Sequence, residues 1–257
     1  MVMDNKLTNR HLNRKGSFFI KRCFDFSVAL MGLILLSPLF LVIAIAIKVD
    51  SKGPVLFRQK RLTKNGRVFE MYKFRSMYVD SENKGSGLFN YKDDPRVTRI
   101  GRKLRDSSLD EIPQLMNVLT GSMSIVGPRP AVVYELGDFD SLNSHFKKRF
   151  SAKAGITGLA QVMGRNDISW DEKAKWDNRY IDSFSERGII TDIEIIIKTI
   201  GKVATNKDIY ENKPNDSMTA EEAAIVEEKE IIRLAHMTDE EYIEYEKNKS
   251  QCEDNAL

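Results

Sequence analysis

Two adjacent carboxylates, Asp110 and Glu111, lie in a part of the chain that is otherwise rich in arginine. Arg105 precedes the pair, and Arg129 follows it within the segment Gly-Pro-Arg-Pro at residues 127–130. Arginine binds phosphate oxygens through two parallel donors. A carboxylate can hold Mg²⁺ or attack phosphorus. These residue types at this spacing therefore indicate metal-assisted chemistry on a phosphate group.

Prolines define the local backbone around these side chains. Proline has no N–H to donate, so within a helix it is tolerated only in the first turn. Pro113 therefore predicts that Asp110 is the N-cap of a helix over residues 114–119. A bound phosphate would then lie at the positive end of that helix. Pro128 and Pro130 restrict the backbone on either side of Arg129, which favours a fixed anion clamp.

A purely structural interpretation of the carboxylate pair is also available. Ser108 and Glu111 fit a Ser-x-x-Glu capping box, in which Asp110 and Glu111 would form a solvated helix start. The surrounding arginines and the proline-flanked Arg129 favour the catalytic interpretation.

An uncharged apolar run at residues 28–47 is the element that must position this site. As a straight helix of twenty residues it would reach roughly 30 Å, enough to cross a bilayer. A simple span is therefore one interpretation. However, Ser37 and Pro38 lie at its midpoint, where proline removes a backbone hydrogen bond, and the Ser37 hydroxyl is a candidate partner for a freed group.

Basic residues lie on both sides of the apolar run, six before it and seven soon after it. The positive-inside rule then places both ends in the cytoplasm. A helix-break-helix that enters one leaflet and returns satisfies both observations, so we expect a re-entrant segment with its break at Ser37 and Pro38.

The remaining segments predict a small, mainly helical α+β domain. Residues 54–77 indicate a β-hairpin that turns at residues 64–66, residues 149–161 a loop, and residues 170–184 a helix. Residues 192–203 put Ile193, Ile196, Ile197 and Ile200 on one helical face, for which core packing and docking at a membrane interface are equally acceptable.

Charge is distributed unevenly along the chain. The net charge of +3 combines −8 over residues 217–257 with +11 over residues 1–216. A basic body suits nucleic acid or an anionic membrane, and the apolar run favours the membrane. The acidic end has two capping-box starts, Thr219 with Glu222 and Thr238 with Glu241, and predicts two helices in a solvated appendage.

The cysteines and histidines of the sequence argue against a disulfide framework and against a zinc site. Cys23 and Cys252 are far apart and show no disulfide or zinc spacing, which fits a reducing compartment. The three histidines form no metal-ligand pattern.

We therefore expect four regions in the chain. Residues 1–20 form a basic N-terminal segment, and residues 21–52 the re-entrant membrane helix. Residues 53–210 form a cytosolic catalytic domain with a short hairpin and interfacial helices, and residues 211–257 an acidic helical tail.

Several motifs, taken in order, resemble one family, the monotopic phosphoglycosyl transferases, also called bacterial sugar transferases. They are KRCFDF at 21–26, the Ser-Pro break at 37–38, GPVLFRQKR at 53–61, FEMYKFRSM at 69–77, RDSSLDEIPQLMNVL at 105–119, VGPRP at 126–130, AGITGLAQVMGRN at 154–166 and DNRYIDSFS at 177–185. The resemblance covers residues 21–204. The chain looks like a short form of the family, with the acidic tail added, and it has Ser122 where many relatives carry an acidic residue.

The resemblance implies transfer of a sugar 1-phosphate from a UDP-sugar to undecaprenyl phosphate, which gives undecaprenyl-diphosphate-sugar and UMP. Asp110 would be the nucleophile, giving an aspartyl-phosphosugar intermediate, and Glu111 would bind the cofactor, Mg²⁺. The implied phosphate-binding residues are Arg105, Arg129, Lys73 and Arg75. The implied nucleotide- or sugar-binding residues are Gln161, Gly164 and Arg165, whereas Asp177 and Tyr180 match family positions without a clear role.

The same resemblance implies the cellular setting. The enzyme would lie on the bacterial inner membrane, among phospholipids, with its catalytic domain facing the cytoplasm. It would begin the synthesis of a cell-surface polysaccharide, such as a capsule or exopolysaccharide, or of a glycoconjugate. Downstream glycosyltransferases and a second copy of the chain are further candidate partners, and nucleic acid is not expected. The alternative from another class is a non-enzymatic adaptor at the membrane surface.

Overall fold

The computed structural model describes residues 2–81, 87, 91, 93–164, 168–205 and 218–254, with side chains from residue 16 onward except 203–205 and 252–254. The helices of this part are α1 (Val2–Asp50), α2 (Arg99–Asp106), α3 (Gln114–Thr120), α4 (Ser144–Lys148), α5 (Leu159–Met163), α6 (Trp170–Arg187), α7 (Ile189–Thr205), α8 (Ala220–Ala235) and α9 (Asp239–Asp254). The strands are β1 (Leu56–Leu62), β2 (Val68–Phe74), β3 (Ser124–Val126) and β4 (Gly155–Thr157). The described chain is mostly helical, as predicted, and has two small sheets.

Helix α1 is assigned as helical through Ser37 and Pro38. Pro38 lacks the N–H that would bond the carbonyl of Ile34 four residues earlier. The Ser37 hydroxyl donates to that carbonyl at 2.8 Å, so it is the internal partner expected at this position. The re-entrant path of this helix through a bilayer stays a prediction.

The apolar surface of α1 is largely uncovered. The segment Gly16–Asp50 is long and apolar enough, by length and composition, to cross a membrane. Large side chains such as Ile34, Leu35 and Leu41 are exposed to the surroundings of the protein. Burying such a surface in lipid is favourable because each large apolar side chain contributes about 1.5–3 kcal/mol, which is consistent with membrane association.

Strands β1 and β2 form the predicted antiparallel hairpin. Their register pairs Leu56 with Phe74 and Leu62 with Val68. The turn Lys64–Gly66 closes it, with Asn65 at φ 58° in the left-handed region that Asn tolerates better than most residues. The hairpin buries Phe74 against the C-terminal half of α1.

Strands β3 and β4 pair in parallel, with Ser124 opposite Gly155. This pairing corrects the prediction of a loop over residues 149–161, which also contains α5. A Cβ atom at Gly127 would lie 2.2 Å from the carbonyl oxygen of Lys153, so glycine is required where the two segments meet. The strands have three residues each, too few for a periodic sequence pattern to reveal them.

Helices α6 and α7 follow each other directly, with Gly188 between them. Ser169 and Glu172 close a capping box at the start of α6. On α7, Ile195 is buried, whereas Ile193, Ile197 and Ile200 are exposed. The exposed isoleucine face favours the interfacial interpretation over core packing.

Helices α8 and α9 begin with the predicted capping boxes at Thr219 and Thr238. The expectation of a solvated appendage, however, is wrong. Ile231, Leu234 and Tyr242 are buried in a hydrophobic cluster together with side chains of α4 and α6. The prediction failed because acidic residues dominate this sequence and the apolar face of each helix is narrow.

Candidate active site

Asp110 and Glu111 lie in a single 3₁₀ turn, Leu109–Glu111, between α2 and α3. Ser108 enters this turn in the left-handed region, at φ 56°, and makes no capping hydrogen bond. Both cap predictions are therefore wrong. Asp110 is not the N-cap of α3, which is Pro113, and Ser108 and Glu111 form no capping box. The tight turn instead points both carboxylates toward neighbouring cations.

Glu111 is the centre of the charged contacts. Its Oε1 accepts a hydrogen bond from Lys73 Nζ at 2.8 Å and from both terminal nitrogens of Arg129 at 3.3 Å. Burial alone would raise the pKa of Glu111, but Lys73 and Arg129 outweigh it and hold that pKa well below its usual range. Glu111 is therefore ionised in the folded protein.

Asp110 is more deeply placed, with 8% of its surface exposed. Burial raises its pKa, Lys73 opposes this effect, and the neighbouring charge of Glu111 adds to it. The two carboxylates thus differ in their protonation behaviour because their surroundings differ. A weakly hydrated carboxylate beside cations is suited to attack an electrophilic phosphorus.

The backbone around Arg129 is held on every side. The carbonyl of Pro128 accepts from the N–H of Gly155 at 2.9 Å. The carbonyl of Arg129 accepts from Arg149 at 2.9 Å, and that of Pro130 from Arg61 at 2.8 Å. This anchoring fits the prediction that the prolines restrict the backbone around Arg129.

Lys73 reaches Glu111 because α3 is attached to the edge of β2. Asn117 on α3 accepts a hydrogen bond from the N–H of Tyr72 at 3.0 Å and donates to the carbonyl of Glu70 at 2.6 Å. The Asn117 side chain therefore satisfies backbone groups of β2 that no neighbouring strand reaches. It also sets the distance between the hairpin and the turn Leu109–Glu111, which is called the catalytic turn below.

The other predicted phosphate ligands have different surroundings. Arg105 lines the same cavity as Asp110, and its Nε donates to Ser76 Oγ at 2.9 Å. Arg75 donates to the carbonyls of Lys52 at 2.6 Å and Ser51 at 2.8 Å, so it holds the C-terminal end of α1. The predicted role of both arginines in binding phosphate stays a prediction.

The predicted nucleotide- or sugar-binding residues are not all in one place. Gln161 lines the cavity and donates to the carbonyl of Ile156 at 2.9 Å. Gly164 is outside the described lining, and a Cβ atom there would lie 2.3 Å from Ile168. Arg165 lies outside the described residues.

Two family-matched residues of uncertain role are buried on α6. Asp177 forms a buried ion pair with Arg149 at 2.8 Å. The Tyr180 hydroxyl bonds to the carbonyl of Val126 at 3.2 Å and to Asp192 at 3.0 Å.

A large cavity of about 1700 Å³ contains the catalytic turn. Leu36 of α1, next to Ser37 and Pro38, lines it together with Asp110, Glu111 and Arg129. The same cavity is thus lined by apolar residues such as Leu36 and by charged residues such as Arg129. Such a lining suits ligands that have both an apolar chain and a phosphate group.

Three side chains of the KRCFDF motif attach α1 to the rest of the protein, and none of these contacts was predicted. Lys21 pairs with Asp192 at 2.5 Å, Arg22 donates to the carbonyl of Val118 at 2.7 Å, and Asp25 accepts from Ser124 at 2.7 Å. Lys21 and Asp25 are four residues apart, on one helical face, directly before an apolar run. That placement was the available signal.

The residues present fit a magnesium ion that is shared with substrate. No cluster of three or more His, Cys, Asp or Glu side chains occurs in the part of the chain that the structure describes. Mg²⁺ commonly takes one or two carboxylates and completes its coordination with water and substrate phosphates. Lys73 and Arg129 both contact Oε1 of Glu111, so Glu111 would hold such an ion through its other carboxylate oxygen.

A family model described as bacterial sugar transferase matches residues 16–206. The chain belongs to the bacterial sugar transferase family, as the motif resemblance implied.

Three curated relatives illustrate the similarity. The chain is 44% identical over 191 residues to the galactosyl transferase CpsE of Streptococcus agalactiae, which covers 70% of this chain and 41% of that protein. It is 45% identical over 195 residues to a UDP-glucose:undecaprenyl-phosphate glucose-1-phosphate transferase of Klebsiella pneumoniae, covering 74% and 41%. It is 37% identical over 204 residues to the exopolysaccharide production protein ExoY of Sinorhizobium fredii, covering 74% and 88%. The chain thus spans less than half the length of the first two relatives and most of the third.

Proposed function

We propose that this protein transfers a sugar 1-phosphate from a UDP-sugar to undecaprenyl phosphate and releases UMP. The observation that carries the proposal is the single cavity in which Leu36 of the apolar helix α1 lies with Asp110, Glu111 and Arg129. Relatives named as UDP-glucose:undecaprenyl-phosphate transferases and as an undecaprenyl-phosphate galactose phosphotransferase support the same reaction.

In the first step, a carboxylate oxygen of Asp110 attacks the phosphorus that bears the sugar. A bond forms between Asp110 and phosphorus, the bond from phosphorus to the bridging oxygen breaks, and UMP leaves with that oxygen. Arg129 and Lys73 balance the negative charge of the diphosphate through the transfer.

In the second step, a phosphate oxygen of undecaprenyl phosphate attacks the same phosphorus. The Asp110 carboxylate is released, and undecaprenyl-diphosphate-sugar forms. Glu111 would hold Mg²⁺, which when bound neutralises charge on the donor diphosphate. Two steps allow a soluble donor and a lipid acceptor to use one site in turn.

The membrane arrangement belongs to the same proposal. Helix α1 would enter one leaflet of the inner membrane, break direction near Ser37 and Pro38, and return to the cytoplasmic side. The exposed isoleucine face of α7 would rest at the interface. The catalytic turn would then lie at the depth of the phosphate of the lipid acceptor.

A donor panel tests the function directly. Purified protein is incubated with undecaprenyl phosphate, Mg²⁺ and each of several UDP-sugars, and UMP release is measured with and without EDTA. Metal-dependent UMP release with at least one donor is expected. An absence of release with every donor would instead favour a non-enzymatic membrane adaptor.

A further inference from the structure

One face of α8 contributes to the lining of the catalytic cavity. Its lining residues are Glu221, Ala224, Ile225, Glu227, Glu228 and Ile231. Most of these positions are three or four residues apart, so they form one continuous helical face. This segment lies beyond residues 16–206, the part that the family model matches. This part of the cavity lining therefore comes from a segment that the family model does not match.

Helix α8 is firmly attached to the catalytic body. The Tyr242 hydroxyl of α9 bonds to the buried carboxylate of Asp171 on α6. Lys175 bridges Asp171 at 3.0 Å and Glu246 of α9 at 2.6 Å. Asn143 donates to the carbonyl of Leu234 at 2.9 Å, which holds the end of α8. Helix α8 therefore keeps a defined position over the cavity.

The cavity lining combines cations and carboxylates from different elements. Lys73, Arg105 and Arg129 supply positive charge around the catalytic turn, whereas α8 supplies carboxylates. Lys173 of α6, which is also in the lining, acts electrostatically on Glu227, and Glu135 acts on both Glu227 and Arg129. Carboxylates repel the phosphates of a nucleotide sugar but accept hydrogen bonds from hydroxyl groups. Such a cavity orients a molecule that has phosphates at one end and hydroxyls at the other.

Arg149 belongs to the same lining and is held by several contacts. It is 2% exposed, pairs with Asp177 at 2.8 Å and donates to the carbonyl of Arg129 at 2.9 Å. Its guanidinium stacks over Trp170 at 4.6 Å. The lining therefore includes a fixed cation in addition to the carboxylates of α8.

We propose that α8 is the donor-side wall of the active site and that Glu227 and Glu228 accept hydrogen bonds from the sugar hydroxyls of the donor. The two carboxylates then determine which UDP-sugar the enzyme uses, and Ile225 packs against the apolar face of the sugar ring. This inference rests on the proposed function and adds a determinant of specificity to it.

The test compares donors in the variants E227Q and E228Q. An amide retains the size of the side chain but weakens acceptance of hydroxyl hydrogen bonds, and the lost discrimination should be roughly tenfold per carboxylate. For the best donor, KM should rise with little change in kcat. The ratio of kcat/KM between that donor and its epimer should fall, whereas the affinity for UDP, which lacks the sugar, should stay unchanged.

The matched control is E244Q, which changes an exposed glutamate on α9 outside the described cavity lining. It should leave every donor unaffected. Donor ratios that stay unchanged in both E227Q and E228Q would overturn the inference while UMP release by the unmodified protein upholds the proposed function. Failure of the unmodified protein to release UMP from any donor would overturn the proposed function itself. Thermal melting of each variant identifies a folding defect, and the exposed position of Glu228 makes E228Q the variant that decides the result.

Discussion

Glu111 is the residue at which the charges of the site converge. Lys73 and Arg129 approach one of its oxygens from different elements. Asp110, its immediate neighbour, is buried and shares the same cations at longer range. The two adjacent carboxylates therefore have different environments. The environment of Glu111 is suited to metal binding, and that of Asp110 to nucleophilic attack.

Asp110→Asn should lower UMP release by roughly 1000-fold or more, because an amide cannot act as the nucleophile toward phosphorus. Incubation of the unmodified protein with labelled UDP-sugar and no acceptor should place label on the peptide that contains Asp110, and the variant should take up none. Asp106→Asn, outside the described cavity lining, serves as the control. Normal turnover by folded Asp110→Asn protein would remove this mechanism.

Arg129→Lys should lower kcat/KM about 10–100-fold with little loss of stability. Lysine retains the charge but lacks the planar pair of donors that contacts Glu111. Arg187→Lys is the matched control, since Arg187 forms an exposed pair with Glu194 at 2.6 Å, is outside the described cavity lining and should be neutral. Equal activity of the two variants would contradict the clamp assigned to Arg129.

At the scale of elements, the site depends on how α3 meets the hairpin. Asn117 satisfies backbone groups of β2 at Glu70 and Tyr72, next to Lys73. The anchors of α1 act in a comparable way, since Lys21 and Asp25 fix the apolar helix to β3 and α7. Side chains that bind backbone or buried polar groups therefore set the separation of the catalytic parts.

Asn117→Ala should destabilise the fold by about 1–3 kcal/mol, because it leaves one backbone donor and one acceptor of β2 without partners. Activity should fall as well, since Lys73 would no longer be held beside Glu111. Chemical denaturation in detergent micelles gives the free energy of unfolding. Asn248→Ala on the exposed surface of α9 should change it little, and a similarly small effect at Asn117 would show that packing alone sets this contact.

At the scale of the whole molecule, the active-site cavity extends from α1 to α8. The apolar helix α1 and the acidic helix α8 therefore both contribute to the lining of one cavity. The acidic region, with a net charge of −8, rests on a body of +11.

Single cysteines introduced at positions 15 and 52, in a background that lacks Cys23 and Cys252, should both react from the cytoplasmic side. The physical reason is the pair of basic flanks together with the proline at mid-run. Replacement of Ser37 and Pro38 by leucine should favour a straight span and lower activity without touching Asp110. Labelling of positions 15 and 52 from opposite sides of the unmodified protein would exclude the re-entrant path.

Local chemistry explains what the sequence determined by itself. The hairpin turn at Asn65 and the capping boxes at Thr219 and Thr238 were predicted correctly. The phosphate site among the arginines and the membrane path of the apolar run stay predictions. Each of these features depends on residues within one turn or one helix of each other, so a short window of sequence contains its cause.

Only the tertiary structure decided how distant parts combine. Contact between Lys73 and Glu111, docking of Tyr242 on Asp171 and the placement of Glu228 in the catalytic cavity join segments far apart in the chain. Such contacts arise from the burial of narrow apolar faces and from the satisfaction of particular buried polar groups. These two causes leave no periodic or local pattern in the sequence. For this reason the acidic tail was predicted to be solvated, although α8 contributes to the lining of the cavity.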